Sequence, residues 1–342
     1  MITGDHLATA KKIAEEINLL EPGENNEQKL IHGSTIKDLN NIDSNLKNKL
    51  LHANVFARII PEQKLKLVEF FQKNNHVVGM MGDGINDTPA LRKADIGIAM
   101  GIRGTDAAKD VADVILLDDK FASTELTIRQ GRTIFRNIRQ FVIYLLSCNL
   151  AEILSVVIAS LINIPLPLLP LQILYLNLVT DTFPALALGM GKGEKVIMEQ
   201  PPRDPQEQII TPLLWRSIVV YGLCITFVVT SVTLYTHFIL KLPSNVVNNI
   251  SFYTLVWVQL LHVFNIPSRI RSFLNNEVVH NKWVWAAIVL SLLLIVIAYM
   301  IPVIRNALSL LPLTIEQYLI VFFAGISAVV IIQVLKRIGA TE

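Results

Sequence analysis

Two patterns of hydrophobic and polar residues meet near residue 140. Beyond it, long apolar runs recur at about 141–161, 170–190, 216–239, 250–267, 283–303 and 315–335. Each approaches the roughly 20 residues a helix needs to cross the hydrocarbon core of a bilayer, so six membrane spans are predicted. Before residue 140, short Val- and Ile-rich runs at 54–59, 76–81, 96–100 and 114–117 alternate with helical periodicity over 8–20, 63–72 and 88–93. That alternation predicts a parallel sheet with helices on its faces. The stretch 21–49, rich in Asn, Glu and Lys, is expected to be a surface excursion. Residues 121–140 read as a helix running into the first span, with Gly131 its weak point.

Composition agrees with a membrane protein. Hydrophobic residues make up 52% and charged residues 17% of the 342 positions, against about 25% charged in soluble domains. Disordered, coiled-coil and collagen-like chains are excluded. A net charge of +2 gives no electrostatic footprint for nucleic acid; the expected partner is the lipid bilayer. Cys148 and Cys224 both lie in apolar runs, so neither a disulfide scaffold nor a cysteine zinc site is expected. The opening Met1-Ile2-Thr3-Gly4-Asp5-His6 lacks the basic-then-apolar pattern of a signal peptide. Lys and Arg alternate in side along the spans. Arg129, Arg132, Arg136 and Arg139 precede the first; Lys192, Lys195, Arg203 and Arg216 follow the second; Arg269, Arg271 and Lys282 follow the fourth; Lys336 and Arg337 close the chain. The opposite loops hold only Lys241 and Arg305. The positive-inside rule then places both termini and the soluble region in the cytoplasm.

Three segments of the soluble region carry chemistry. Met81-Gly82-Asp83-Gly84-Ile85-Asn86-Asp87 follows a predicted strand and precedes a helix, the position where open α/β sheets bind ligands. Its two glycines allow close backbone approach, and Asp83 with Asp87 offers hard oxygen ligands suited to Mg²⁺; a GDG turn alone is equally a tight turn. Thr3-Gly4-Asp5 offers a hydroxyl, a permissive backbone and a helix cap. Lys64 after Pro61-Glu62-Gln63 is a surface lysine or a point charge for phosphate.

In the spans, Glu152 and Asp181 stand out, because a charge at the centre of a helix costs roughly 2.5–3.5 kcal/mol on insertion scales and marks function by default. Asn149 shares a helical face with Glu152, as Asn177 and Thr180 do with Asp181. Pro184 follows, and a proline distorts the turn before it, which can turn carbonyls toward an ion. The donors are oxygens without thiol or imidazole, a set that selects hard ions such as Ca²⁺, Mg²⁺ or Na⁺.

The order MITGD, FARIIPEQKLKLVEFF, GMMGDGINDTPALRKADIGIAMG closely resembles the P-type ATPases, cation pumps that pass through an aspartyl-phosphate. The resemblance implies an α/β haloacid-dehalogenase-like phosphorylation domain, present in part over 1–122, a stalk helix over 123–140, and an all-α transmembrane bundle over 141–342 whose six helices are the fifth to tenth spans of the family. It implies that Asp83 holds Mg²⁺ with Asp87 in support, that Thr3, Gly4 and Asn86 bind the phosphoryl group, that Lys64 neutralises developing charge, and that Asp5 belongs to the same loop. ATP would be the substrate of the complete enzyme. The family's DKTGT phosphoacceptor motif has no counterpart here; the nearest pattern, Asp119-Lys120-Phe121, lacks its Thr and Gly. The chain is therefore expected to correspond to the C-terminal part of a pump, to lack a central strand, to need the actuator and nucleotide domains and the first four spans as partners, and to be inactive alone.

Ser147-Cys148-Asn149-Leu150-Ala151-Glu152 and Asn177-Leu178-Val179-Thr180-Asp181 resemble the fifth and sixth spans of type II calcium pumps of the sarcoplasmic-reticulum kind. Carried over, Asn149 and Glu152 would serve one calcium site and Asn177 and Asp181 the second, with Thr180 and Asp181 reaching the first. Gln259 stands where those pumps place a Glu, which weakens the first site's charge. The alternatives are a pump of the same family moving Na⁺, H⁺ or Mn²⁺, and a non-catalytic membrane protein that binds ions. His262 is expected to be packed, Trp257, Trp283 and Trp285 to be interfacial or packing residues, Pro201-Pro202-Arg203 to be a turn or a coupling loop, and Arg129 to Arg139 to be a solvated face near headgroups.

Overall fold

The computed structural model describes residues 1–21, 28–36, 43–193, 195–204, 206–266 and 276–341, without the side chains of Lys195 and Val196. Arg269 and Arg271, counted above for orientation, lie outside the described residues, as do 22–27 and 37–42 of the expected surface excursion. The chain divides into two compact units, Met1–Thr127 and Ile128–Glu342.

In the first unit the order is α1 (Leu7–Glu16), β1 (Leu30–His32), α2 (Ser44–His52), β2 (Val55–Ala57), α3 (Pro61–Lys73), β3 (Gly79–Gly82), α4 (Thr88–Lys93), β4 (Ile96–Met100), α5 (Asp106–Val111) and β5 (Val114–Leu116). All strand pairs are parallel: β1 with β2, and β3–β4–β5 as a second sheet. Parallel neighbours need a crossover, and helices supply it, α4 between β3 and β4 and α5 between β4 and β5. Ile2 bridges to Phe56 of β2, and Thr3 donates its N–H to the Phe56 carbonyl (2.9 Å), so the chain's first residues extend the β1–β2 layer. Apolar burial follows: Ile31, Leu50, Phe56, Leu67 and Phe70 form one core, and Val68, Met80, Leu91, Ala99 and Ala108 another.

The expected surface excursion over 21–49 is corrected here. It contains β1, whose Ile31 is 2% exposed, and it runs into α2. Three residues, Leu30-Ile31-His32, suffice because β2 supplies every partner.

The second unit is all-helical. Six helices are long and apolar enough to cross a membrane: Ala122–Leu161, Pro170–Gly189, Pro212–Ile239, Ser244–Asn265, Lys282–Met300 and Ile315–Arg337. The first is α6 (Ala122–Leu161), 40 residues or about 60 Å at 1.5 Å per residue, twice the hydrocarbon thickness; Gly131 does not interrupt it. The second is made of α7 (Pro170–Tyr175), a π-helical turn (Leu176–Asp181) and α8 (Thr182–Gly189). Then come α9 (Pro212–Leu234), continued by a π turn over Tyr235–Ile239, α10 (Ser244–His262), the short α11 (Glu277–His280), α12 (Lys282–Met300), α13 (Pro302–Ala307) and α14 (Ile315–Arg337). Helix α10 is central, with Phe252, Leu255, Val258 and Leu260 essentially inaccessible. Close approach needs missing side chains: a Cβ at Gly325 of α14 would stand 2.2 Å from Trp257 Cδ1. Both cysteines are free and buried.

Arg132, Arg136 and Arg139 of α6 are not a solvated face. Arg132 donates to the carbonyls of Ile197 (2.9 Å) and Gln200 (2.8 Å). Arg139 pairs with Glu207 (2.9 Å) and donates to the Gln208 carbonyl (2.9 Å). Arg136 pairs with Glu277, which also accepts from Gln140 (2.8 Å). Asn137 donates to the carbonyls of Gly189 and Gly191, and Arg203 stacks over Phe135 at 3.9 Å. Guanidinium groups satisfy loop carbonyls that would otherwise lack donors, so this face of α6 clamps the loop that contains Pro201-Pro202-Arg203.

Candidate functional site

In the first unit the candidate residues gather at the carboxyl ends of β2 and β3. Lys64, one turn into α3, places Nζ 2.5 Å from Asp87 Oδ1. Asp87 is buried behind Gly82, and a Cβ on Gly82 would stand 2.5 Å from the Asp87 Cβ, so glycine is required there for steric reasons. Thr3 Oγ1 donates to Asp5 Oδ2 (2.9 Å) and accepts from the Asp5 N–H (3.2 Å). The Asp5 carboxylate is thereby turned away from capping; the residue at the N-cap of α1 is His6, with no side-chain cap bond. Gly4 lies at the turn between them, beside the Ile59 carbonyl. Asp83 is exposed, its backbone carbonyl accepting from the Thr105 N–H (2.8 Å), and Asn86 is exposed beside it. Among the described residues no hydrogen bond joins the Thr3–Asp5 pair to the Lys64–Asp87 pair. Nor do three or more His, Cys, Asp or Glu side chains converge as a metal centre. One or two carboxylates at a strand end fit Mg²⁺, which takes few protein ligands when phosphate and water complete its shell.

Asp119, the nearest match to a phosphoacceptor pattern, is committed elsewhere. At φ +52° it accepts the N–H groups of Ile102 (2.9 Å) and Arg103 (2.8 Å). These backbone donors hold its carboxyl below the usual carboxylate range.

In the second unit Glu152 of α6, Asn177 of the π turn and Gln259 of α10 meet. Gln259 Nε2 donates to Glu152 Oε1 (2.8 Å), and Asn177 Nδ2 lies 3.4 Å from Glu152 Oε2 and 3.0 Å from the Ile173 carbonyl. Glu152 is 3% exposed, Asp181 1%, and Thr180 and Gln259 0%. Both Asp181 carboxylate oxygens, the Thr180 hydroxyl and Gln259 Oε1 are buried without a hydrogen-bond partner among the described residues. A buried carboxylate whose oxygens meet no donor must be met by a proton or a cation. Asn149, one turn before Glu152, is half-buried and forms no side-chain hydrogen bond to this group.

The distortion expected before Pro184 takes the form of the π turn Leu176–Asp181, a wide turn that is rare and concentrated at functional sites. Pro184 has no N–H to return to the carbonyls four and five residues back. Ser291 of α12 supplies a donor instead, its Oγ 3.1 Å from the Val179 carbonyl, while the Thr182 hydroxyl donates to the Asn177 carbonyl (2.8 Å). Neither residue stood out in the sequence; the available signal was that Ser291 is the one polar residue inside the apolar run 284–298. His262 is packed, its Nε2 2.9 Å from Ser147 Oγ and its ring against Tyr144 and Tyr221. Trp285 donates to the Val279 carbonyl and Trp283 is about half exposed.

The family model described as "Cation transporting ATPase, C-terminus" matches residues 165–338. The chain belongs to this family. It is 39% identical over 333 residues to "Calcium-transporting ATPase" of Bacillus subtilis, covering 96% of this chain and 36% of that protein. It is 34% identical over 350 residues to "Calcium-transporting ATPase 1" of Bacillus cereus, covering 98% and 39%. Against "Calcium-transporting ATPase 1" of the yeast Yarrowia lipolytica it is 44% identical over 220 residues, covering 64% and 23%. The chain thus spans little more than a third of the length of the bacterial relatives. With six apolar helices, it is an integral, multi-pass membrane protein of the cation-transporting ATPases.

Proposed function

We propose that this chain is the C-terminal part of an ATP-driven calcium pump in which Glu152, Asn177, Thr180 and Asp181, with Asn149 and Gln259, form the cation cage. The observation that carries this reading is the pair of buried Asp181 oxygens without donors beside the Glu152–Gln259–Asn177 cluster. All donors are oxygens and two are anionic, which suits a divalent hard cation. The relatives' names supply calcium as the cargo. Neutral Gln259 adds no charge, which favours one strongly held ion over two.

The soluble unit is read as a partial haloacid-dehalogenase-like phosphorylation domain over 1–122, continuing through a stalk at 123–140 into spans five to ten over 141–342. In it, Thr3, Gly4 and Asn86 position the transferred phosphoryl group, Lys64 balances negative charge, and Asp87 orients Lys64 through their ion pair, with Asp5 fixing the Thr3 hydroxyl. Mg²⁺, held by Asp83, would supply electrostatic stabilisation of phosphoryl oxygens. The nucleotide and actuator domains and four further spans would come from the remainder of the pump, without which the chain would not turn over ATP. The excess of Lys and Arg on one side favours a cytoplasmic soluble unit.

The test is ATP-driven ⁴⁵Ca²⁺ uptake into vesicles by a complete pump carrying this chain. Uptake is expected to vanish in Asp181→Asn and Glu152→Gln. Uptake that survives both, or transport that follows Na⁺ and ignores Ca²⁺, overturns the reading.

A further inference from the structure

Helices α10, α12 and α14 leave a cavity of about 370 Å³ between them, open to the side and lined by aromatic and aliphatic groups, among them Tyr253, Trp257, Leu292, Tyr299, Tyr318 and Phe322. A volume of this size lies in the range of small-ligand sites. An apolar lining alone says only that hydrocarbon can enter. The polar groups at one end say more.

Tyr299 is in the last turn of α12 and Tyr318 in the first turn of α14. Tyr253 of α10 faces Tyr318, their ring centroids 6.1 Å apart. All three line the cavity, and among the described residues none of their hydroxyls forms a hydrogen bond. The cavity therefore has an apolar lining that includes three tyrosines. Arg305 of α13 stands beside one of them, its guanidinium carbon 5.8 Å from the centroid of the Tyr299 ring. It forms no ion pair among the described residues. Arg305 is also one of only two basic residues in the loops that the charge asymmetry leaves otherwise free of Lys and Arg. A cation placed against the general pattern, beside an apolar groove, calls for an anionic group.

We propose that this groove is a binding site for one anionic phospholipid of the surrounding bilayer. One acyl chain lies between α10, α12 and α14 against Trp257 and Leu292, and the phosphate meets Arg305 and the hydroxyls of Tyr299 and Tyr318. A zwitterionic lipid fills the same groove but brings its own cation, so it gains less from Arg305. A guanidinium and a phosphate form charge-assisted, often paired hydrogen bonds.

The test is native mass spectrometry of the whole chain released from nanodiscs made with equal phosphatidylglycerol and phosphatidylcholine. The wild-type chain is expected to retain phosphatidylglycerol several-fold over phosphatidylcholine. Arg305→Gln, on a short loop helix where folding is not at stake, should cut phosphatidylglycerol retention about fivefold and leave phosphatidylcholine unchanged. Val296→Trp fills the groove from a position 57% exposed and should reduce retention of both lipids. Equal retention of the two lipids by the wild-type chain overturns the proposal, as does undiminished phosphatidylglycerol retention in Arg305→Gln. Retention unaffected by Val296→Trp would place the lipid elsewhere and equally overturn it.

Discussion

The two polar constellations of this protein solve opposite problems. In the soluble unit, charged groups sit at strand ends; the buried Asp87 is held by Lys64 at 2.5 Å, and the exposed Asp5 accepts a hydrogen bond from Thr3. In the membrane unit, Glu152 is met by two amides, whereas Asp181, more deeply buried, has no donor for either oxygen among the described residues. The first arrangement is electrostatically closed as it stands; the second is complete only with an added positive charge. Burial thus separates a charge that is already paired from a carboxylate that still lacks a partner.

The sharpest way to break this contrast is to remove the buried charges. Glu152→Gln and Asp181→Asn should each weaken calcium binding by at least about 100-fold, the scale on which breaking a buried charged pair is felt; equilibrium ⁴⁵Ca²⁺ binding decides it, and an unchanged affinity would end the cage assignment. Next comes the closed site. Lys64→Met leaves Asp87 without its cation, and phosphoenzyme formation from labelled ATP in the complete pump should slow roughly 10²-fold, as when one electrostatic donor is lost from a transition state.

A steric prediction follows. Gly82→Ala drives a methyl group into Asp87 and should cost about 1–3 kcal/mol, as overpacking does, read as an earlier thermal transition of the chain. Smaller again is Ser291→Ala, which deletes the donor to the Val179 carbonyl. One hydrogen bond is worth about 1 kcal/mol, so cation affinity should fall about fivefold and return in Ser291→Thr. The smallest effect belongs to Asp119. Its carboxyl is held low in the folded state by the Ile102 and Arg103 N–H groups, so its contribution is present at neutral pH and is lost as pH falls through the folded-state value. Asp119→Asn should leave stability at pH 7 little changed in slope and flatten the decline below about pH 4, measured by melting across that range.

Much of this was legible beforehand because hydropathy reports directly on the solvent a helix faces. All six spans were foreseen, and Glu152 and Asp181 were singled out because charges in apolar runs are conspicuous; the structure buries both. Strands β4 and β5 were announced by Val and Ile, and β3 by the Val77-Val78 that run into it. What escaped depends on partners distant in the chain. Leu30-Ile31-His32 is too short and too surrounded by Asn, Glu and Lys to read as a strand, and only β2 makes it one. The arginines of α6 read as solvated because nothing local reveals the carbonyls of Ile197, Gln200 and Gln208 that they hold. Ser291 is an unremarked hydroxyl until the π turn and Pro184 are placed beside it. Asp5 looked like a helix cap, and its neighbour Thr3 captured it first.

A turn of π-helix holds one residue more than the α-helical turn it replaces, and each residue rotates the chain by about 100°. Deleting Leu178, Val179 or Thr180 would therefore restore a regular helix and turn Asp181 and α8 by about 100° relative to α7. No single replacement of a side chain could undo that rotation. The register of this span is a matter of residue count as much as residue identity, and alignments that place a gap here would misassign the cage.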